Sequence, residues 1–361
     1  MLRYENMPKA AQYLPDAELL GSDKGADLEL CQCSGCGLVQ LSNDPVPYYQ
    51  EVIRASAVSE EMKKFRTKQF RDFVEKYYLQ GKKVIEIGCG CGEFLSLMQQ
   101  NDIELYGVEA SEKSVLQCAR SGLTVSKGFI QGTDYRLELA PFAAFFMLNF
   151  LEHLPDPNST LSGIYCNLTD EALGLVEVPN FNMILRKNLF SEFIADHLLY
   201  FTRETLTTTL RLNGFDVIDF NEEWYDYVIS VVVRKRKKLD LSNFYGCQAK
   251  LKDEIEGFIR PFGYKRVAVW GAGHQALAII SLLSIADKLK YVVDSATFKQ
   301  GKFTPATHVP IVSPEKLNSD PVDALIVMAA GYADEVANNI RREFAGKMSI
   351  AILRDFGLEV F

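Results

Sequence analysis

The sequence predicts an α/β fold built from two doubly wound units, and three observations support this prediction. Short apolar runs such as Lys83–Ile87 and Phe142–Asn149 alternate with segments of helical periodicity, a pattern typical of a parallel sheet with helices on both faces. The alternation restarts at Val267–Trp270, and 361 residues are too many for one ordinary core. We therefore expect two α/β units in series, preceded by an irregular segment.

The elements of the first unit follow one another in a regular order after a helix from Ser59 to Tyr78. A helix from Thr202 to Gly214 leads into Phe215–Phe220 and Tyr227–Val233, which a short loop joins as an antiparallel pair. Before them, strands are predicted at Lys83–Ile87, Leu105–Glu109, Leu123–Lys127, Phe142–Asn149 and Gly174–Val178, and helices at Glu93–Asn101 and Ser114–Arg120. The sheet is thus expected to be parallel with an antiparallel terminal pair.

The predicted boundaries divide the chain into four parts. Residues 1–60 form an irregular cysteine-containing segment, 61–235 the first α/β unit, 236–260 a linker helix and 261–361 the second, smaller unit. The second unit is predicted to have strands at Val267–Trp270, Tyr291–Asp294, Ala324–Met328 and Ser349–Leu353. The basic run Arg234–Lys238 is interpreted as a solvated linker, with a phosphate-binding patch as the alternative.

Composition limits the class of function. The net charge of −8 argues against a broad nucleic-acid footprint. No apolar run has the length of a membrane span, and the first ten residues lack a signal-peptide pattern. We therefore expect a cytoplasmic protein with no membrane or nucleic-acid partner, in which the eight cysteines are reduced.

A glycine-rich turn follows the first strand of the first unit. Lys83–Ile87 runs directly into Gly88-Cys89-Gly90-Cys91-Gly92, and a helix comes next. Glycines permit positive φ angles and let a ligand approach the backbone, while the helix N-terminus offers free N–H groups. The turn predicts a nucleotide-like ligand, although many structural turns share this glycine spacing.

Two carboxylates near the turn restrict the class of ligand that can bind there. Glu86 lies two residues before Gly88, and Glu109 ends the next strand, 21 residues after Gly88. An acidic group beside the turn would repel a pyrophosphate, whereas Glu109 can accept hydrogen bonds from both hydroxyls of a ribose. Turn and carboxylates together resemble the donor site of S-adenosylmethionine (SAM)-dependent methyltransferases with a Rossmann-like core. The alternative is a structural turn with both carboxylates bonded locally.

The resemblance implies a set of SAM-binding residues. Glu86 would help to fix the cationic methionine end, and Glu109 the ribose. Gly128 and Phe129 follow the third strand, where they either line an adenine pocket or belong to the core. The full set is Glu86, Gly88, Cys89, Gly90, Gly92, Glu109, Ala110, Gly128, Phe129 and Asn149.

A second resemblance rests on the order of parts and on the C-terminal stretches Tyr291–Asp294, Lys299–Lys302 and Thr307–Pro314. Together with an N-terminal cysteine cluster and a SAM-type core, they resemble the sugar C-methyltransferase family over nearly the whole chain. Members of that family methylate a carbon of nucleotide-linked keto-deoxysugars. The resemblance implies a nucleotide sugar as the small-molecule partner.

The same resemblance implies a catalytic base. The family places a Glu–His pair before a Tyr–Phe–hydroxyl segment, and the matching residues here are Asp196-His197, followed by Tyr200-Phe201-Thr202. His197, assisted by Asp196, would remove a proton beside a ketone, and the alternative is a core histidine. His153, in the segment after the fourth strand, is a second candidate base, or a structural histidine bonded to Asp156.

Two departures from the family pattern stand out. Only Cys33-x-x-Cys36 matches the two cysteine pairs of a four-thiolate zinc site, with Cys31 as an extra thiol, so we expect no metal unless a fourth ligand is found. The family also has a catalytic tyrosine where this chain has Val52–Ala57, and Tyr48 or Tyr49 can stand in for it.

Other functions remain open at this point. An O- or N-methyltransferase of a sugar or secondary metabolite needs the same SAM site. A non-catalytic SAM- or nucleotide-binding protein needs the turn but no base. The second turn, Gly271-Ala272-Gly273, can serve a nucleotide such as NAD or the acceptor's nucleotide, or it can be scaffold.

Overall fold

The chain divides into two compact units, Met1–Lys238 and Leu239–Phe361. They are seen in a computed structural model that describes residues 2–11, 14–51, 58–344 and 348–361. The first unit has two sheets and the second unit has one, and each unit has its own apolar clusters. None of the helices in these described ranges has the length and apolar character needed to cross a membrane.

The described part of the first unit contains eleven strands and six α-helices. The strands are β1 (Leu2–Met7), β2 (Ala26–Gln32), β3 (Val39–Leu41), β4 (Lys83–Ile87), β5 (Glu104–Glu109), β6 (Val125–Lys127), β7 (Phe142–Leu148), β8 (Leu168–Pro179), β9 (Leu199–Tyr200), β10 (Phe215–Glu223) and β11 (Val228–Lys235). The helices are α1 (Glu60–Lys76), α2 (Glu93–Met98), α3 (Glu112–Arg120), α4 (Pro157–Cys166), α5 (Phe181–Lys187) and α6 (Arg203–Leu212).

Seven of these strands form the central sheet, in the spatial order β10-β11-β8-β7-β4-β5-β6. The pairs from β8 to β6 are parallel, whereas β11 runs antiparallel to both β8 and β10. The predicted α/β class with an antiparallel terminal pair is confirmed. The carboxyl ends of parallel strands meet at one edge of a sheet, so the loops after β4, β5 and β7 converge there.

Both faces of the central sheet are buried. On β4, Val84 packs into the apolar cluster of one face, and Ile85 and Ile87 into that of the other. Phe145 and Phe146 of β7 divide between the two clusters in the same way. Successive strand residues point to opposite faces, and burial on both faces explains why these strands are continuous apolar runs.

The helix α1 is fastened to the central sheet by a buried ion pair. Ser59 caps its first turn by accepting a hydrogen bond from the Met62 N–H group. The Arg66 guanidinium lies 2.5 Å from the Glu177 carboxylate of β8, and the two side chains are 2% and 0% exposed. The Gln69 amide donates to the same carboxylate at 2.5 Å.

The N-terminal segment is not irregular, and this prediction was wrong. The strands β1, β2, β3 and β9 form an antiparallel sheet in that order. On β2, buried Leu28 and Leu30 alternate with exposed Asp27 and Glu29, and both leucines join the apolar cluster on one face of the central sheet. The sequence did not predict this strand because its apolar alternation is only four residues long and the surrounding segment is rich in Pro and Asp, which are typical of loops.

The second unit is a smaller α/β unit whose six-stranded sheet has the order β14-β13-β12-β15-β16-β17. All its pairs are parallel except the edge pair of β16 and β17, which confirms the doubly wound class. Its strands and helices are β12 (Val267–Trp270), β13 (Leu289–Val293), β14 (Ile311–Val312), β15 (Ala324–Val327), β16 (Ser349–Arg354), β17 (Gly357–Val360), α7 (Asn243–Ile259), α8 (His274–Leu282), α9 (Lys316–Ser319) and α10 (Ala333–Glu343).

The helix predicted as a linker packs within the second unit. It corresponds to α7, whose Ile255 and Ile259 are buried in one of the unit's apolar clusters. The compact units meet at Lys238 and Leu239, and the finer division into four parts stays a prediction.

Candidate active site

A cleft of about 250 Å³ lies in the first unit, where loops after β4, β5 and β7 converge. The order of the strands reverses between β4 and β7, and ligands of open α/β sheets bind at such a point. Three segments supply most of the lining. They are the glycine turn (Gly88, Cys89, Gly90, Cys91), the turn after β7 (Asn149, Phe150, Glu152, His153) and the segment before β9 (Ile194, Asp196, His197).

The glycine turn has the backbone that its sequence predicts. Gly88, Gly90 and Gly92 have φ angles of 70°, 55° and 84°, which side chains other than glycine rarely adopt. A Cβ atom on Gly88 would lie 2.5 Å from the ring of Phe150. Gly92 begins α2 behind the cleft, where a Cβ atom would lie 2.5 Å from Leu123. Positions 88 and 92 therefore require glycine for two reasons, their positive φ angles and the lack of room for a Cβ atom.

Glu109 ends β5 and faces the cleft while holding the turn. One carboxylate oxygen accepts a hydrogen bond from the Gly90 N–H group at 2.9 Å, and the other accepts from the Ser111 N–H group at 2.9 Å. A carboxylate has about four acceptor positions, so Glu109 can accept further bonds from a ligand. Local bonding and ligand binding, treated as alternatives from the sequence, are thus compatible.

A small side pocket continues from the turn. It is lined by Ala110, Gly128, Phe129 and Phe150, with the two phenylalanine rings 6.3 Å apart. A Cβ atom on Gly128 would lie 1.9 Å from the hydroxyl of Tyr135. The two residues predicted either for an adenine pocket or for the core, Gly128 and Phe129, therefore line a pocket.

The charge of the cleft is negative. The lining residues include four acids, Glu93, Glu109, Glu152 and Asp196, and no lysine or arginine among the residues that the structure describes. Glu86 is buried on β4 behind the turn and does not line the cleft. Such a lining favours a cationic ligand over a pyrophosphate.

The turn after β7 presents His153. Asn149 leaves the strand with a φ of 51°, and Leu151–His153 forms one turn of 3-10 helix. Asp156, the predicted structural partner of His153, instead caps α4 by accepting from the Ser159 N–H group at 3.0 Å. The Nδ1 atom of His153 lies 2.7 Å from the carbonyl oxygen of Asp196.

His153 and His197 lie side by side. Their ring centroids are 4.8 Å apart in an edge-to-face arrangement. The Leu198 N–H group donates to the Glu152 carbonyl oxygen at 2.8 Å, which holds the two segments together. Burial lowers the pKa of His197 to about 3, and burial also lowers the pKa of His153. Both rings are therefore neutral at pH 7 and carry a free nitrogen lone pair.

Asp196 does not hold His197 in the way the sequence predicts. One of its carboxylate oxygens accepts from the Ala11 N–H group at 2.6 Å, and the other accepts from the Tyr48 hydroxyl at 2.8 Å. The carboxylate is therefore bonded to the N-terminal segment instead of to the neighbouring imidazole. Only the backbone carbonyl of Asp196 reaches the histidine pair, through His153.

Glu152 is a site residue that sequence reasoning missed. It is 1% exposed, and its carboxyl oxygens make no hydrogen bond of standard geometry with the described residues, only weaker interactions with the Asn149 side chain and its own backbone. The His153 Nε2 atom lies 3.9 Å from one of these oxygens, and burial raises the pKa of Glu152 to about 8. The Glu152-His153 dipeptide after β7 can be read from the sequence, but the burial that raises the pKa of Glu152 cannot.

The N-terminal cysteines lie in the turn between β2 and β3. The Cys31 thiol lies 3.6 Å from the Gln40 carbonyl oxygen. The Cys36 and Gly35 N–H groups donate to the Cys33 sulfur and lower the pKa of that thiol. Among the described residues, the three cysteines do not form a group close enough to hold a metal ion, and zinc binding stays untested. The expected loss of a tyrosine at Val52–Ala57 lies outside the described residues.

The glycine turn of the second unit is bonded internally. Asp294, which follows β13, accepts from the Ala272 N–H group at 2.8 Å and from the Lys299 ammonium at 2.9 Å. A Cβ atom on Gly271 would lie 2.6 Å from the Met328 carbonyl oxygen. The Lys299 ammonium thus neutralises the Asp294 carboxylate, which a ribose would need as a hydrogen-bond acceptor. Nucleotide binding at this turn stays a prediction.

Known proteins resemble both parts of the chain. Residues 60–219 match the family described as a methyltransferase domain, and residues 242–352 match the C-methyltransferase C-terminal domain. The C-methyltransferase NovU of Streptomyces niveus is 23% identical over 381 aligned positions, which cover 95% of this chain and 90% of NovU.

Shorter similarities are limited to part of the chain. A ubiquinone biosynthesis O-methyltransferase of Azoarcus sp. (strain BH72) is 31% identical over 34% of this chain, which spans 53% of that relative. The PH0226 protein of Pyrococcus horikoshii OT3 has a TM-score of 0.43 and 14% identity, over 52% of this chain and 98% of that one. Magnesium protoporphyrin IX methyltransferase of Synechocystis PCC 6803 has a TM-score of 0.40 and 14% identity, over 50% of this chain and 90% of that one.

The chain is a class I SAM-dependent methyltransferase, an enzyme that uses SAM as its cofactor. Within that class it resembles the C-methyltransferases, because the match to one of them extends over almost its whole length.

The residues of the cleft fit SAM. At Gly90, which lines the cleft, the nearest atom to an added Cβ would be 4.0 Å away, so the backbone of the turn is open to a ligand there. The four acids of the described lining, with no lysine or arginine among them, suit a ligand with a cationic sulfonium and ammonium. Gly88, Cys89, Gly90 and Glu109 would hold this ligand.

Proposed function

We propose that this enzyme methylates a carbon atom beside the carbonyl group of a nucleotide-linked keto-sugar. The observation that carries the proposal is the pair of buried His153 and half-buried His197, which lines the same cleft as the glycine turn. A carbon atom becomes a nucleophile only after a base removes its proton. The similarity to a C-methyltransferase along the whole chain supports the same chemistry.

The division of roles follows from the geometry of the cleft. SAM supplies a methyl group on a sulfonium that is ready for in-line displacement. Gly88–Cys91 and Glu109 bind and orient this donor. His197 removes the acceptor's proton, and the His153 ring contacts the His197 ring edge to face.

His153 is held in one orientation. Its Nδ1–H group donates to the Asp196 carbonyl oxygen at 2.7 Å, so Nε2 carries the free lone pair in the neutral ring. Asp196 is a positioning residue, because its side chain binds Ala11 and Tyr48 while its carbonyl orients His153. The N-terminal segment is thereby connected to the base.

The direct test is incubation with SAM and a panel of nucleotide sugars that includes 4-keto forms. We expect one keto-sugar to gain a single methyl mass, and NMR of the product to show a new C–CH₃ group. Methyl transfer only to oxygen or nitrogen, or to a peptide or nucleic acid, would overturn the proposal.

The role of the histidines has a separate readout. With SAH (S-adenosylhomocysteine) in place of SAM, the wild-type enzyme in D₂O should exchange the acceptor's α-proton for deuterium. His197→Gln and His153→Gln should each lower turnover by roughly a hundredfold or more, with SAH affinity changed less than about threefold. His274→Gln, an exposed histidine of α8, is the matched control. Undiminished exchange in both site variants would exclude the pair as the base.

The second candidate is O-methylation of a similar acceptor. It is favoured by the similarity of about a third of the chain to an O-methyltransferase of ubiquinone biosynthesis. It needs the same SAM site but no α-proton exchange, so the experiment in D₂O separates the two reactions.

A further inference from the structure

Glu152 is a buried acid that the proposed chemistry leaves unused. Among the described residues its carboxyl oxygens have no hydrogen bond of standard geometry although the side chain is 1% exposed. The Asn149 side chain and the Glu152 backbone interact with the carboxyl more weakly, and their effect on its pKa is smaller than that of burial. The residue nevertheless lines the cleft. Buried carboxylates are normally paired or hydrogen-bonded. This carboxyl therefore requires a proton, or a positive charge that a ligand brings into the cleft.

The titratable groups around Glu152 offer no permanent positive charge. Its own turn contributes His153, and the segment before β9 contributes His197, with ligand atoms of all three residues within 4.8 Å of one another. Strand β11 begins next to Tyr227, whose hydroxyl donates to Glu192 at 2.6 Å. The remaining acids and thiols of the cleft are Glu93, Glu109, Asp196, Cys89 and Cys91, with Glu86 buried behind them.

We propose that Glu152 exchanges its proton for the sulfonium charge of the methyl donor. In this proposal the carboxyl is protonated in the free enzyme, ionised when SAM is bound, and protonated again when SAH replaces SAM. SAM has one positive charge more than SAH, at the sulfur atom. Because the Glu152 side chain is 1% exposed and lines the cleft, water screens that charge only weakly, and the charge favours the ionised carboxyl. Burial raises the pKa of Glu152 to about 8, which supports a protonated state at pH 7 before SAM binds.

The exchange completes the proton balance of the reaction, and this step rests on the proposed C-methylation. The electron pair of the broken C–H bond forms the new bond to the methyl carbon, and the pair of the broken S–CH₃ bond stays on sulfur. The proton passes to the histidine pair, where ionised Glu152, 3.9 Å from His153 Nε2, stabilises the imidazolium. Once the sulfonium is gone, Glu152 accepts this proton, and the next SAM molecule displaces it to solvent.

Calorimetry of donor binding tests the exchange without any acceptor. Titrations of SAM and of SAH at pH 7 in two buffers of different ionisation enthalpy report the protons released. EDTA in the buffers prevents a divalent cation from compensating Glu152. We expect SAM to release between roughly half a proton and one proton, and SAH close to none. The affinity ratio of SAM to SAH should rise between pH 6 and 8, by at most about tenfold per pH unit.

Three variants identify the titrating group. Glu152→Gln should remove the difference in proton release between SAM and SAH, whereas Glu152→Asp should keep it. Glu93→Gln, which removes an exposed acid of the same cleft, should also keep the difference. SAH affinity and the melting temperature check that each variant is folded. Equal proton release by SAM and SAH in the wild type, or a difference that survives in Glu152→Gln, would overturn the proposal.

The outcome is independent of the acceptor. A failed search for a keto-sugar substrate would count against the proposed function and leave the calorimetric result unchanged. Equal proton release would count against the role of Glu152 even if the sugar is methylated.

Discussion

At the scale of single residues, Gly88 is the position at which the donor site tolerates least change. Its φ of 70° favours glycine, and the Phe150 ring occupies the space of a Cβ atom. Phe150 also lines the side pocket. A methyl group on residue 88 would therefore disturb the turn and the aromatic wall together.

Gly88→Ala is expected to weaken SAH binding by at least about tenfold and to lower the free energy of unfolding by about 2–3 kcal/mol. The first effect comes from displacement of Phe150, and the second from strain in the turn. Gly122→Ala is a matched control, because Gly122 has a φ of 74° but open space within 4 Å of where its Cβ atom would lie. It should lose only about 1 kcal/mol and bind SAH normally. Calorimetry and thermal unfolding measure both quantities.

The sequence predicted the donor-binding part of the site, the glycine turn and Glu109, better than the part around Asp196 and Glu152. The glycine turn and Glu109 are local features of a strand–turn–helix, so their chemistry could be inferred from spacing. The orientation of Asp196 could not, because Ala11 is 185 positions away in sequence and takes one of its oxygens. The perturbed acid Glu152 was missed for a similar reason, since its burial depends on packing between separate segments.

At the scale of elements, α1 is joined to the central sheet by charge as well as by apolar contacts. Arg66 and Glu177 are both buried and lie 2.5 Å apart. The desolvation of such a pair is compensated only while both members are present, so the loss of one leaves an unpaired charge in the core.

Arg66→Met should therefore lower the free energy of unfolding by about 3–5 kcal/mol. Lys68→Met, at an exposed position of the same helix, should cost less than about 1 kcal/mol. The double variant Arg66→Met with Glu177→Gln should recover part of the loss. Urea titration followed by Trp224 fluorescence reports on the first unit if the other tryptophan is removed in a Trp270→Phe background. Equal stability of the Arg66 and Lys68 variants would contradict this role.

Elements with long, continuous apolar runs were predicted well, and short ones were not. The strand β4 was predicted with its observed bounds, because burial on both faces gives an unbroken signal. The strand β2 buries one face only, through Leu28 and Leu30. The two-residue strand β9 has no periodicity that could reveal it.

At the scale of the whole molecule, the chain passes from the first compact unit to the second through an exposed basic stretch. Lys237 and Lys238 are exposed and belong to no helix or strand, whereas Lys235 is buried and donates to the Leu168 carbonyl oxygen at 2.7 Å. The position of this stretch between the units supports its interpretation as a linker.

Limited trypsin digestion should cut after Lys237 or Lys238 and leave two resistant fragments, which mass spectrometry can identify. A protease needs an accessible segment outside regular structure, and this stretch provides one. Arg236, which is likewise exposed and outside regular structure, is a third trypsin site, so replacing Arg236, Lys237 and Lys238 together by glutamine should slow the cut by at least about tenfold. Early cleavage within the sheet of either unit, with the stretch intact, would contradict the two-unit organisation.

The N-terminal sheet also determines an order of events during synthesis. Strand β3 pairs with β9 through Gln40 and Leu199, two positions separated by most of the first unit. Strands β1 to β3 leave the ribosome before β9, so β3 must wait for this partner with one edge unpaired in the meantime. Closure of this sheet is consequently a late step in folding, and it brings the segment that carries His197 into register.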